Sequence, residues 1–175
     1  MNKLMRKIGL RTAVALCAVA LCGAAAVGFA RGRVNSAARP EVKVSLAGTV
    51  EREGAQLAID KVEAVKPGEI LNWQIASVNE GRGPAREYKV VGNIPAGTVL
   101  VAGSAAADGG GSTVTYSIDG GKTFSTQPVI EQKQADGTVK QVPAPVSMYT
   151  QVRYEWKDDL AAGGRLSASY KVRVK

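Results

Sequence analysis

Apolar and polar residues alternate along much of this chain, with the period of two that is typical of half-buried β-strands. The clearest run closes the sequence at 165–174, where five apolar residues alternate with five polar ones. Shorter runs of the same kind lie at 42–46, 71–77, 114–118 and 152–156. No helical period follows residue 40. The pattern therefore predicts an all-β domain of about 7–9 short antiparallel strands.

Turn-forming residues separate these runs at regular spacing. The turn signals are Pro67-Gly68, 79–84, Ile94 to Gly97, Asp119 to Gly121 and Asp136-Gly137. Strands and turns spaced in this way predict an immunoglobulin-like antiparallel β-sandwich, in which two sheets pack face to face. We expect Trp73, Tyr88 and Trp156 to fill the space between the sheets.

Four stretches carry more specific expectations. In the first strand, we expect Val42, Val44 and Leu46 to face inward, with polar residues outward. The pattern at 56–65 favours a strand with Leu57 and Ile59 inward, and a short helix is the alternative. Residues 103–112 (GSAAADGGGS) predict a flexible loop. Residues 127–148 surround an Asp-Gly turn and predict a peripheral hairpin.

The N-terminal segment differs from the rest of the chain. Four basic residues within 3–11 precede an uncharged stretch from Thr12 to Ala30, and Gly28-Phe29-Ala30 offers small residues for cleavage. This is the pattern of a secretory signal peptide at 1–30, which would form a hydrophobic helix before removal. A retained membrane anchor is the alternative, because the uncharged stretch is about as long as a bilayer requires. Residues 31–40 predict a flexible leader, and 41–175 the folded domain.

Composition narrows the chemistry of the exported part. The chain has no histidine, which is the commonest general base and metal ligand. Its two cysteines, Cys17 and Cys22, lie in the N-terminal segment, so the exported part lacks disulfide and thiol chemistry. Four of the 23 Lys and Arg precede residue 31, and all 15 Asp and Glu follow it, which leaves a net charge of about +4. That mild charge, without a basic run among aromatics, argues against nucleic-acid binding.

Five short motifs follow one another along the middle of the chain: Pro67-Gly68-Glu69, Leu71 to Ile75, Asn79-Glu80-Gly81, Gly83-Pro84-Ala85 and Ile94-Pro95-Ala96-Gly97. In order and spacing they resemble the motifs of the DUF11 family, a family of exported bacterial and archaeal domains. The end of the chain, Leu160 to Val174, is similar to the family's last turn and strand. One position departs from the family, because Gly92 stands where Asp is frequent. The resemblance spans about Val65 to Lys175 and implies a single, non-catalytic sandwich domain of a surface or envelope protein.

Two acidic turns are candidates for chemistry that the sequence does not favour. The motif Ser117 to Phe124 resembles an Asp-box, and we expect Asp119 to accept hydrogen bonds from nearby backbone amides in a structural turn. Asp158-Asp159 could ligate calcium, but the series of spaced oxygen donors of a calcium loop is absent, so a solvated turn is favoured. The sequence thus predicts no catalytic residue, no cofactor and no metal site.

The strongest binding candidate is basic. If the last two strands pair, five cations would share one solvent-exposed face and could hold phosphate or carboxylate groups. These residues are Arg153, Lys157, Arg165, Lys171 and Arg173. The alternative is that such cations keep a sheet soluble and discourage edge aggregation.

These observations predict a non-enzymatic protein of the periplasm, cell surface or extracellular space, which acts by contact with other envelope or surface proteins. Two alternatives remain. The domain could bind an anionic cell-wall or surface glycan, or it could be a pilus-like subunit that donates residues 31–48 as a strand. No nucleic-acid partner is expected, and membrane contact is expected only through an uncleaved N-terminal segment.

Overall fold

The computed structural model describes residues 38–109 and 111–175. In these two ranges the chain is all-β, with eleven strands and two 3₁₀ turns at Ile59–Lys61 and Val146–Met148. The strands are β1 Val42–Arg52, β2 Ala55–Ala58, β3 Ile70–Asn79, β4 Lys89–Asn93, β5 Thr98–Leu100, β6 Ala106–Ala107, β7 Ser112–Ser117, β8 Val129–Lys133, β9 Val139–Pro143, β10 Gln151–Trp156 and β11 Arg165–Val174.

Three antiparallel sheets contain these strands. The larger sheet has the order β2-β1-β3-β11-β5, and β6 also pairs with β11. The smaller sheet has the order β4-β10-β7, and β8 with β9 forms a separate hairpin. The register of β3 with both neighbours places Leu71, Ile75 and Ser77 on one face of the larger sheet, as their alternation predicts. Those three side chains are buried.

Side chains of the larger and smaller sheets form one apolar core, which includes Tyr154 and Trp156 of β10 and Tyr170 of β11. Each of these aromatic residues also satisfies its polar atom. The Tyr154 hydroxyl donates to the Ser169 carbonyl at 2.7 Å, and the Trp156 Nε1 donates to the Asp108 carbonyl at 2.7 Å. Buried aromatic side chains therefore contribute apolar area without leaving these donors unpaired.

Asn79, at the end of β3, is fully buried and holds three segments together. Its side-chain oxygen accepts the backbone N–H groups of Glu41 and Gly81, at 3.0 and 3.1 Å. Its amide nitrogen donates to the carbonyls of Gly83 and Leu160, at 2.8 and 3.0 Å. The sequence marked Asn79 as part of a turn, but its side chain also fixes the start of β1.

Gly92 of β4 faces the core, and its lack of a side chain has a structural reason. A Cβ atom there would collide with the Tyr170 ring. The Tyr170 hydroxyl donates to the neighbouring Asn93 carbonyl at 2.6 Å, which holds the ring in place. An aspartate at this position would need both that space and solvation, so the departure from the DUF11 pattern matches the packing.

Two sequence predictions about local structure are only partly right. The strand predicted over 56–65 ends at Ala58, and a 3₁₀ turn at Ile59–Lys61 follows, in the place where a short helix was the alternative. Leu57 is exposed, whereas Ile59 packs against the core from that turn. The loop predicted over 103–112 contains β6, which pairs with β11. The Asp108 carboxylate accepts the Ser167 backbone N–H at 2.6 Å, which fixes a segment whose composition indicated flexibility.

Two other predictions are confirmed. β8 and β9 form the hairpin predicted around Asp136-Gly137, where Gly137 adopts a φ of +85°. Asp119 accepts hydrogen bonds from nearby backbone amides, as predicted for its turn. The predicted signal peptide at 1–30 and residues 31–37 of the leader lie outside the described residues. No helix within the described ranges has the length and hydropathy needed to span a bilayer.

Candidate interaction surface

The five predicted basic residues do not share one face, because β10 and β11 belong to different sheets. Arg153 lies on β10 in the smaller sheet, and Lys157 follows the end of that strand. Arg165, Lys171 and Arg173 lie on β11 in the larger sheet. The condition on which the basic face depended, pairing of the last two strands, is not met. The connection from Trp156 to Arg165 instead carries the chain from one sheet to the other.

Arg153 is already engaged by neighbouring side chains. Its Nη2 lies 2.6 Å from the Glu155 carboxylate, and its guanidinium carbon lies 4.1 Å from the centre of the Phe124 ring. Only 27% of its side chain is exposed. Both the ion pair and the cation–π contact reduce what the guanidinium can offer to an incoming anion.

Arg165, Lys171 and Arg173 alternate with the buried residues of β11 and are exposed on the outer face of the larger sheet. Neither Lys171 nor Arg173 belongs to an ion pair among the described residues. A row of cations on one strand can attract an anionic polymer weakly.

Asp119 makes the turn that the sequence predicts. Its carboxylate accepts the backbone N–H groups of Lys122 and Thr123 at 3.0 Å, and hydroxyl protons from Ser117 and Thr123. The Thr123 and Ser117 hydrogen bonds lower the pKa of the Asp119 carboxyl well below its usual range. A carboxylate with all these donors organises the loop and keeps little capacity for a substrate or a metal.

Asp158 and Asp159 lie in an exposed turn after β10. Asp159 is 3.8 Å from the Arg86 Nε, at the long end of an ion pair. In the described ranges, no group of three or more acidic, histidine or cysteine side chains is placed to hold a metal ion.

The most unusual surface feature is the N-terminal half of β1, which we call the β1 edge and define as Val42 to Ala47. On one side it pairs with β3, from Val42 opposite Asn79 onward. β2 begins to pair with the other side only at Thr49, and no strand within 38–109 or 111–175 covers Val42 to Ala47 there. Among the residues that the structure describes, the backbone of this half-strand is therefore an open sheet edge.

The hydrogen-bond phase of β1 identifies which backbone groups face outward. The Glu80 N–H donates to the Glu41 carbonyl at 2.8 Å, so the backbone N–H and C=O groups of Glu41 point toward β3. Antiparallel strands alternate these directions residue by residue. The N–H and C=O groups of Val42, Val44 and Leu46 consequently point away from β3, toward the open side.

The side chains of Val44 and Leu46 are exposed, whereas Val42 is half-buried. Val44 is 53% exposed and Leu46 is 57% exposed, although the sequence predicted that both face inward. They do lie on the core face of the sheet, because Leu46 pairs with buried Ile75. The predicted inward orientation is therefore confirmed, but both side chains stay exposed because the described strands of the smaller sheet leave this end of β1 uncovered.

The charge of the β1 edge is low. Lys43 points to the opposite face and forms an ion pair with Glu80 at 2.5 Å. The segment Val42 to Ala47 contains no other charged residue and no proline. Apolar, β-branched, nearly uncharged segments with free backbone groups are the segments that pair with other strands.

This arrangement supports main-chain recognition of another strand. Sequence reasoning missed it because alternation alone does not reveal how far the second sheet extends. The available signal was the absence of a charge or proline between Val44 and Gly48, where edge strands are usually protected. Comparisons of this chain with protein-family models, with curated proteins and with solved structures found no match to any of them.

Proposed function

We propose that this protein is a non-enzymatic component of the cell envelope or surface and works by contact with other proteins. The single observation that carries the proposal is the β1 edge, which combines open backbone groups with exposed Val44 and Leu46. Natural sheets normally protect such edges with charges, bulges or covering segments. An edge left open is expected where another chain covers it.

We also propose an immunoglobulin-like sandwich fold and membership in the DUF11 family. Two antiparallel sheets with a shared core support an immunoglobulin-like sandwich in the broad sense, with its own strand order, since the last strand lies beside β3. The proposed membership in the DUF11 family depends on the motifs at 67–97. The structural role of Asn79 gives one of those motifs a physical reason.

Export is part of the proposal and depends on the sequence pattern at 1–30. The low charge and exposed apolar residues of the β1 edge suit a protein that meets its partner after secretion. The two alternatives from the sequence gain less support. The glycan alternative is weakened because the basic residues are divided between two sheets. The strand-donation alternative is weakened because residues 42–50 pair with β3 within their own sheet, which a donated strand would have to leave.

The experiment is photocrosslinking in cells that produce the full chain with a photoreactive residue in place of Leu46. The matched control carries the same residue at Gln74, which is exposed on β3 but lies in a strand paired on both sides. We expect ultraviolet light to produce a protein adduct in the envelope or secreted fraction at position 46 and not at 74. N-terminal sequencing of the same material should show a chain that begins near Arg31.

Retention of the intact chain inside the cell, or equal adducts at both positions, would contradict the proposal. A detectable hydrolase activity that is lost with Asp119→Ala would contradict the non-enzymatic part of it.

A further inference from the structure

We propose that the partner of the β1 edge is a second copy of this chain, and that two β1 edges pair antiparallel about a two-fold axis at Val44. This inference depends on the proposed function, since it names the partner of the same surface. It assigns one geometry. Val42 of each copy lies opposite Leu46 of the other, and the two Val44 residues lie opposite each other.

The backbone phase of the edge fits this pairing. The residues with outward groups, Val42, Val44 and Leu46, are evenly spaced and symmetric about Val44. Antiparallel neighbours exchange hydrogen bonds only where the outward groups of both strands meet. Pairing centred on Val44 matches all three outward residues of one copy with those of the other and forms about six main-chain hydrogen bonds. If the pairing shifted by one residue, each outward-facing residue of one copy would lie opposite a residue of the other copy that already bonds to its own β3. None of these main-chain hydrogen bonds would then form.

The side chains of the β1 edge favour the same pairing as its backbone groups. On the core face, the pairing brings Val42, Val44 and Leu46 of both copies into one apolar cluster, which removes from water the side chains that are more than half exposed. Burial of these valine and leucine side chains favours association, because it removes apolar surface from water. Directly opposed apolar pairs add to strand association.

The charge pattern favours a like partner over an unlike one. The pairing places Lys43 opposite Ser45 of the second copy, so the two lysines are not opposed. Each Lys43 is also neutralised by its own Glu80. A partner of strongly acidic or basic character would find no uncompensated charge on this edge, whereas an apolar, neutral strand matches it.

The length of the β1 edge also matches the proposed pairing with a second copy. Pro40 has no N–H and limits pairing at one end. β2 occupies the neighbouring position from Thr49 onward and limits it at the other end. The pairing centred on Val44 extends from Val42 to Leu46 and therefore fits between these two limits.

Residues 38–40, the described part of the leader, do not cover this edge. The Arg39 carbonyl accepts the backbone N–H groups of Arg82 and Gly83, at 3.1 and 3.2 Å. Ala38 also lies against Gly83. Residues 38–40 are thus held beside the turn after β3.

Disulfide trapping of the full chain tests the inference. The two native cysteines are replaced by Cys17→Ser and Cys22→Ser, and a single cysteine is introduced as Val44→Cys or, for the control, Gln74→Cys. Antiparallel pairing about Val44 places the two residues at 44 about 5.5 Å apart between their Cα atoms, within the usual range for a disulfide. We expect mild oxidation to link most Val44→Cys chains into dimers and to leave Gln74→Cys largely monomeric.

Sedimentation of the chain with native Val44 and Leu46 provides the second measurement. We expect a concentration-dependent dimer, and we expect Leu46→Lys to weaken association at least about tenfold, because two lysines would enter an apolar cluster. Because Leu46 is exposed, this variant should fold, and an unchanged thermal midpoint at low concentration checks that. A monomer at all concentrations, or equal disulfide yields at 44 and 74, would overturn the inference.

The outcome separates this inference from the proposed function. A monomer whose position 46 forms adducts only with a different envelope protein overturns the self-pairing and leaves the proposed function in place. A dimer that stays inside the cell supports the self-pairing and overturns the proposed location.

Discussion

The two halves of β1 have the same alternating sequence pattern and opposite surroundings. Val50, near the end of the strand, is fully buried, with β2 on one side and β3 on the other. Val44, six residues earlier on the same face, is 53% exposed and pairs with a described strand, β3, on one side only. The difference lies in what covers the strand. Ile59 from the 3₁₀ turn and the Trp73 ring lie over Gly48, and nothing in the described ranges lies over Val44 and Leu46 in the same way.

The comparison teaches that a strand can belong to a sheet and still leave part of its core face available. The covered half contributes to the apolar core, whereas the open half leaves Val44 and Leu46 exposed. Elements used in recognition are often drawn from the less stable parts of a fold.

The largest expected effect concerns the point at which the open half is anchored. Asn79→Ala should lower the free energy of unfolding by about 3 kcal/mol, because several buried backbone groups lose their hydrogen-bond partner at once. Among them are the Glu41 N–H and the Leu160 carbonyl. Urea unfolding measures the change.

Asn72→Ala is the matched control for that variant, since Asn72 is on the same strand, is half-buried and makes no side-chain hydrogen bond within the described residues. If both variants unfold at the same urea concentration, Asn79 does not hold the start of β1 as we describe.

The same substitution in the two halves of β1 tests the comparison itself. Val50→Ala should cost about 2 kcal/mol, because two buried methyl groups are lost and a cavity remains. Val44→Ala should cost less than about 0.5 kcal/mol, as at other exposed positions. Both values come from urea unfolding at low protein concentration, where chains are separate. Equal losses would show that the N-terminal half is covered in solution.

Alkaline pH should weaken the covered part of the domain. Burial raises the pKa of Tyr170 to about 12, whereas a tyrosine in the unfolded chain titrates near its ordinary value of about 10. Between these values the unfolded state releases its proton first, so the free energy of unfolding falls as the pH rises, by at most about 1.4 kcal/mol per pH unit. Below pH 10 this contribution is fully present.

The measurement is the thermal or urea midpoint from pH 9 to 12 for the unmodified chain and for Tyr170→Phe. The variant loses the hydrogen bond to Asn93 and should be less stable throughout, so the slope with pH is the informative quantity. An identical slope in both proteins would show that Tyr170 does not ionise differently in the folded and unfolded states.

The strands were the most predictable part of the fold. Alternation located β3, β10 and β11, and the Asp-Gly signal located the β8–β9 hairpin, because both depend on local periodicity and turn chemistry. The role of Asp119 was predictable for the same reason, since its hydrogen-bond donors lie within four residues.

The candidate surface was less predictable because it depends on contacts between distant parts of the chain. Alternation assigned Arg153 and Arg173 to outward faces but could not reveal that these faces belong to different sheets. It assigned Val44 to the core face but could not reveal that the smaller sheet stops short of it. Whether one sheet covers a given residue of the other depends on the width of the covering sheet. A short stretch of sequence does not specify that width.

Amide hydrogen exchange along β1, read residue by residue at low and high protein concentration, tests the central claim most directly. The amides of Lys43, Ser45 and Ala47 face β3 and should be protected at both concentrations. The amides of Val42, Val44 and Leu46 face the open side, so they should exchange rapidly in dilute protein and become protected in concentrated protein. Rapid exchange of these three amides at both concentrations would contradict pairing of the β1 edge with a second copy, and protection at both would contradict an open edge.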